Sequence, residues 1–354
     1  MLPQRRWLSG RTLPKRSSTS FWLRSFRRVL ICPNVHFTSC WQSRAELHPT
    51  LEMRDNGIPV CDRIPSHRDP AMAMQQKRRF YAVLWSALVA FLILVVGQAI
   101  WASLLAANFK SSPRTMPWSV PAMAVVLWLL WQYLGGRWSP RSTSESRKRA
   151  LRANPVSGSV LTGALLAGVL SIIALAGLWI VFLRLVKTPA NVLDDPSKYP
   201  LLTVALVVSM SSLVSPIVEE IAFRGYCQQI LERHFSGKIA VLLSSLLFML
   251  AHTNYGWYWS KLTVYFLAGV VFGAIARLTD SILTSVPVHI FGDLTFFILI
   301  WPRDSARVLV SVGGADKWFW IHLAQAILFA AFALLAFQRL GKQTTPMAAR
   351  QIAP

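Results

Sequence analysis

The sequence predicts an all-α bundle of about eight membrane-spanning helices, and three observations carry that expectation. Hydrophobic residues make up 54% of the 354 positions and charged residues only 15%, against about 25% charged in a soluble globular chain. From Phe80 onward the apolar residues gather into long runs bounded by charges, and a spanning helix needs about 20 such residues. The runs are rich in Leu, Val, Ile, Ala and Phe all round, without alternation. That excludes barrel strands and leaves helices as the way to satisfy the backbone in lipid.

Residues 1–79 are unlike the rest. They hold many Arg, several Pro and Ser, no long apolar run, and no acid before Glu46. An Arg-rich, Ser-rich, acid-poor beginning is similar in composition to an organelle transit peptide. A start placed too early is a second explanation, because Met72 or Met74 would begin a chain with a basic flank beside the first span. A disordered cytoplasmic tail is a third. On the last two readings, residues 1–71 are expected to be dispensable for insertion and folding.

The expected spans are 81–106, 117–135, 159–183, 200–218, 238–254, 261–278, 281–300 and 318–338, with 261–278 among the shortest. Four parts follow: the basic tail 1–79, N-terminal transmembrane helices in 80–199, a region 200–302 that carries the ionisable residues, and a last helix with a basic tail in 303–354.

Lys and Arg number 37 against 15 Asp and Glu, a formal net charge of +22. A nucleic-acid binder would gather that charge into a stripe on a folded domain. Here it sits in the tail and in short connectors, the pattern of cytoplasmic loops. Lys77, Arg78 and Arg79 end the tail. Arg137, Arg141, Arg147, Lys148, Arg149 and Arg152 fill one connector. Arg339, Lys342 and Arg350 follow the last run. With eight spans all three groups fall on one side, so both termini are expected in the cytoplasm, and the compact loops suggest a bacterial inner membrane. No nucleic-acid partner is expected. Cys32, Cys40, Cys61 and Cys227 show no metal-binding spacing and read as free thiols.

Ionisable side chains inside spans are costly and usually functional, and here they cluster in 200–300. In SPIVEEIAFRGYCQQILERHF, residues 215–235, Ser215 and Pro216 read as a helix start. Glu219 and Glu220 point about 100° apart around a helix. Arg224, four residues after Glu220, can pair with it, which leaves Glu219 free to face elsewhere. Two adjacent carboxylates in a low dielectric also call for a compensating cation, proton or metal. In the next run Phe248 precedes His252 by four. Ser236 and Gly237 mark the turn between the two runs. Glu219 lies 17 residues before Ser236 and His252 lies 16 after it. Both therefore stand about 25 Å from the turn, at the same depth of an antiparallel hairpin. Finally, His289 and Asp293 share a face at i and i+4, with Pro287 just ahead of them. Each residue alone has an ordinary explanation: a buried structural ion pair, a satisfied interior histidine, an aspartate bonded to a hydroxyl. Their concentration at matching depth favours one site.

At these residues the chain resembles the CAAX protease and bacteriocin-processing (Abi) family of intramembrane endopeptidases, which includes type II CAAX prenyl endopeptidases and proteins similar to lysostaphin resistance protein. The family pattern EExxxR, FxxxH and HxxxN reads here as Glu219-Glu220-xxx-Arg224, Phe248-xxx-His252 and His289-xxx-Asp293, over about residues 200–300. The resemblance implies a membrane endopeptidase acting on a membrane-associated protein or peptide, with Glu219, Glu220, Arg224, His252, His289 and Asp293 as site residues. Asp293 departs from the usual Asn, which can donate to an oxyanion where an ionised Asp only accepts. Two mechanisms fit. In one, Glu219 is general base and His252 helps it activate a water, while His289, with Asp293, stabilises the oxyanion. In the other, Glu219, His252, His289 and Asp293 hold a divalent metal, zinc being the natural candidate for such ligands. A non-proteolytic scaffold or immunity protein of the same fold is the main rival. A transporter is a further one, although the paired halves expected of many transporters are missing from the sequence.

Overall fold

Backbone polar groups in lipid must be satisfied within their own segment, and every long apolar run of this chain does form a helix. The computed structural model describes residues 70–111, 117–188, 199–253, 256–300 and 308–352, except the side chains of 70, 71, 73, 111 and 345–352. The expectations for Cys32, Cys40, Cys61 and residues 1–69 of the tail lie outside the described residues.

The helices are α1 (Pro70–Ser111), α2 (Ser119–Leu134), α3 (Ser144–Leu151) and α4 (Gly158–Leu185). They are followed by α5 (Leu201–Glu232), α6 (Gly237–Ala251) and α7 (Trp259–Thr279). Last come α8 (Ile282–Ile300) and α9 (Lys317–Ile352). Among the described residues the architecture is therefore all-helical, that of a multi-pass membrane protein. Six of the helices among the described residues, α1, α4, α5, α7, α8 and α9, are long and apolar enough to cross a bilayer. The other two expected spans are shorter. α2 has 16 residues and α6 has 15, about 22–24 Å of helix against a hydrocarbon core of about 30 Å. The run 261–278, among the shortest expected, forms the 21-residue α7.

Two boundaries also move. α1 begins ten residues before the apolar run, and α9 continues well beyond it, because Lys, Arg, Gln and Met are good helix formers. Ser215 and Pro216 do not start a helix either. Pro216 lies inside α5, where it removes one backbone donor and crowds the preceding turn. Four residues later the helix widens into a π-helical stretch, Glu220–Cys227. Such wide turns recur at functional sites.

The outward faces of α1 and α9 are apolar. Leu84, Trp85, Leu88 and Leu92 are exposed on the first, and Ile327, Leu328, Phe332 and Leu335 on the last. An apolar surface this extensive is out of place in water but matches lipid tails. Within the bundle, close approach does the work that hydrophobic burial does in water. A Cβ at Gly97 of α1 would meet the Val218 side chain of α5 at 2.6 Å, and one at Gly168 of α4 would meet Val288 of α8 at 2.3 Å.

The basic connector after α2 is more structured than a cytoplasmic loop requires. Arg147 is buried and donates to the carbonyl oxygens of Tyr133, Trp138 and Pro140. Arg152 is buried too, 3.2 Å from Glu232 and 2.8 Å from Asp280. It ties the connector to the end of α5 and to the turn between α7 and α8. At the entry of α9, Asp316 accepts from the Phe319 backbone N–H and from Arg184. These donors hold its carboxyl below the usual carboxylate range. Its contribution is present above that range and fades as the pH falls through the lowered value.

Candidate active site

The π-helical turn of α5 faces α6, α7 and α8, and the six expected residues meet there. Arg224 lies 3.3 Å from Glu220. Glu220 Oε1 is 3.0 Å from His289 Nδ1. His289 Nε2 is 3.7 Å from both Glu219 Oε2 and Asp293 Oδ1. His252 Nε2 is 3.9 Å from Glu219 Oε2. The hairpin depth match between Glu219 and His252 is thus borne out, and so are both i,i+4 pairings. All six belong to one continuous chain of polar contacts.

The two imidazoles are oriented by their other nitrogens. His252 Nδ1 lies 2.8 Å from the Phe248 carbonyl, which can only accept, so Nδ1 carries the proton. His289 Nδ1 donates to the Glu220 carboxylate in the same way. Both Nε2 atoms therefore turn toward Glu219. A bond at one ring nitrogen setting the chemistry of the other is a common device of histidine sites.

Glu220 and Arg224 are fully buried. The guanidinium stacks on the Phe248 ring at 4.3 Å and lies 5.3 Å from Phe272, and it donates to the Gly269 carbonyl at 3.3 Å. Gly269 and Gly273 of α7 keep this face open. A Cβ at the first would meet Ser245 at 3.0 Å, and one at the second would meet Gln228 Oε1 at the same distance. Phe248 thus serves the arginine below it as well as His252, against which its ring lies at 4.6 Å.

Sequence reasoning missed four contributors. Tyr265 stacks on His252 at 4.2 Å and Phe272 on His289 at 4.2 Å. Gln98 of α1 and Ser215 hold the far side of Glu219. The signal for Gln98 was present, as it is the one amide in the apolar run 81–106. Tyr265 and Phe272, seven residues apart on one face of α7, look like any packed aromatic pair.

The site opens on a cavity of about 910 Å³ whose other walls include Trp101, Trp179, Phe296 and Ile300. Asp293, about a quarter exposed, is the most open member of the site.

Zinc ligands stand about 2.0–2.2 Å from the ion, so two ligands of one tetrahedron lie about 3.3–3.5 Å apart. The pairs here are 3.7–3.9 Å apart. Among the described residues, no group of three or more His, Cys, Asp or Glu side chains is arranged to hold a metal ion. The donors as placed do not form the four-ligand set.

A glutamate faces two oriented imidazoles at the head of a largely apolar cavity inside the helix bundle. Residues 201–295, which include all six side chains, match the family model described as type II CAAX prenyl endopeptidase Rce1-like. This match supports membership of the CAAX protease and bacteriocin-processing family for that segment. At the level of the family, that match supports a CAAX-type intramembrane protease. No curated protein and no solved structure matches the chain.

Proposed function

We propose that this protein is an intramembrane endopeptidase that cleaves a membrane-associated protein or peptide with a water activated at Glu219. The observation that carries the reading is the gap between Glu219 Oε2 and the two Nε2 atoms, 3.7–3.9 Å. A water with hydrogen bonds of about 2.8 Å to two acceptors spans such a distance. Glu219 takes one proton of the water as its oxygen attacks the peptide carbonyl, and His252 Nε2 accepts from the other. His289, flanked by Glu219, Glu220 and Asp293, donates to the developing oxyanion in its imidazolium form. When the C–N bond breaks, the proton on Glu219 passes to the leaving amine, so one water and one peptide yield a carboxylic acid and an amine. Glu220 and Arg224 orient His289 and hold no reacting atom.

The largely apolar cavity walls favour a substrate that brings lipid or apolar side chains with it. The test uses the purified protein in lipid nanodiscs and two quenched-fluorophore peptides ending in a CAAX sequence, one prenylated on its cysteine and one not. Cleavage of the prenylated peptide is the expected result. If neither peptide is cut, this substrate class is wrong.

Asp293→Asn separates the two mechanisms. An amide still donates to an oxyanion, so activity within about threefold of the parent is expected from side chains alone. Loss of activity together with loss of bound zinc in elemental analysis would instead establish the metal route.

We further place both termini in the cytoplasm, on the strength of the basic tail, the connector 137–152 and the basic C-terminal segment. Reporter fusions near Ser144 and after Gln338 should then give the same side. Opposite sides would mean that one of the helices between the two positions, α6 being the shortest, does not cross.

A further inference from the structure

The geometry points to Gln98 and Ser215 as a proton-donating clamp that fixes which oxygen of Glu219 faces the water. The inference rests on Glu219 as the proposed base. Ser215 Oγ lies 2.5 Å from Glu219 Oε1, the length of a charge-assisted O–H···O⁻ bond. The carboxylate can only accept, so the hydroxyl proton goes to Glu219. The hydroxyl oxygen is then open to the Gln98 amide, whose Nε2 lies 3.0 Å from it and 3.4 Å from Glu219 Oε1. The direction of every bond is therefore determined: amide to hydroxyl, hydroxyl to carboxylate.

The clamp loads donors onto Oε1 alone. Oε2, the oxygen nearest both imidazoles, is left to take the proton of the water. Without the clamp the carboxylate could turn about its last bond and offer either oxygen, or neither, at the right angle. Bonds in such a chain also strengthen one another. Ser215 sits one turn before Glu219 on the same helix, and Pro216 follows it. Gln98 comes from α1, outside the segment that matches the family. Its reach depends on its neighbour: Gly97 lets α1 approach so closely that a Cβ there would overlap Val218. The residue before Gln98 and the residue before Glu219 thus form the contact that brings the two together.

A purely structural role, an interhelical polar contact of the kind that holds membrane helices together, predicts something different. Its loss would lower stability and leave turnover per folded molecule alone. The experiment measures kcat, KM and thermal unfolding for the full-length protein in detergent. The variants are Gln98→Leu, Ser215→Ala, their double, and Ser215→Thr, with Glu219→Gln as reference. If the clamp is right, each of the first two lowers kcat by about ten- to a hundredfold with KM within about twofold. The double falls no further than the worse single, because both break one chain. Ser215→Thr, which keeps the hydroxyl, recovers most of the loss. Unchanged kcat in Gln98→Leu and Ser215→Ala, with Glu219→Gln inactive, overturns the clamp and leaves the proposed base standing. A loss that follows unfolding, with Ser215→Thr no better than Ser215→Ala, overturns it as well. Activity in Glu219→Gln itself would mean that the proposed function has failed.

Discussion

Glu219→Gln and His252→Ala should each abolish hydrolysis, by about a thousandfold or more, while the folded protein survives. The size follows from the role. A residue that takes the proton of the attacking water has no substitute within reach: Glu220 is spent on Arg224 and His289, and Asp293 lies on the far side of His289. Residues that act as one unit are strongly non-additive, so the double variant should lose little more than either single. Stability should hold because Glu219→Gln keeps the volume and an oxygen that can accept from Ser215. His252 caps the end of α6, so its truncation leaves the helix itself intact. Initial rates on the prenylated peptide, normalised to folded protein, measure the effect. Wild-type turnover in Glu219→Gln would remove the assignment of this site to catalysis.

Much of this site was legible before any coordinates, and the reason is physical. In an apolar run a carboxylate, guanidinium or imidazole is conspicuous because its presence there is costly. Helical periodicity then decides which neighbours share a face, as it did for Glu220 with Arg224 and His289 with Asp293. The Ser236–Gly237 turn sets the register that brings His252 to Glu219. What stayed hidden was what periodicity cannot rank. Tyr265 and Phe272 are aromatic residues in a bundle full of them, and only the packing of α7 shows that each lies under a histidine. Ser215 next to Pro216 matches a helix start, but the apolar run before it is continuous and membrane helices tolerate interior proline, so α5 runs on. Gln98 was missed because an amide carries no charge. Helix ends were misplaced at α1 and α9 because hydropathy marks where lipid ends, whereas the helix continues through basic residues that favour it.

The second large effect is expected on stability. Arg224→Ala should lower the unfolding free energy by about 3–5 kcal/mol, the usual cost of removing one partner from a buried ion pair. The guanidinium is only 1% exposed. Removing it leaves a fully buried carboxylate without its cation, with His289 on Oε1 and no well-directed hydrogen bond on Oε2. The stacking on Phe248 and the bond to the Gly269 carbonyl go with it, so α5 loses its hold on both α6 and α7. Arg224→Lys should recover only part of the loss, since an ammonium keeps the charge but not the planar face that lies on Phe248. The arginine itself is under-satisfied, with neither Nε nor Nη1 in a well-directed hydrogen bond. Replacing the pair together, as Glu220→Gln with Arg224→Met, should therefore restore stability toward the parent while catalysis stays low, because His289 loses the carboxylate that orients it. Denaturant unfolding in detergent gives the first quantity and peptide turnover the second. A double variant that is both stable and fully active would show that the ion pair does not orient His289. An Arg224→Ala protein as stable as the parent would show that the pair contributes nothing to holding α5 in place.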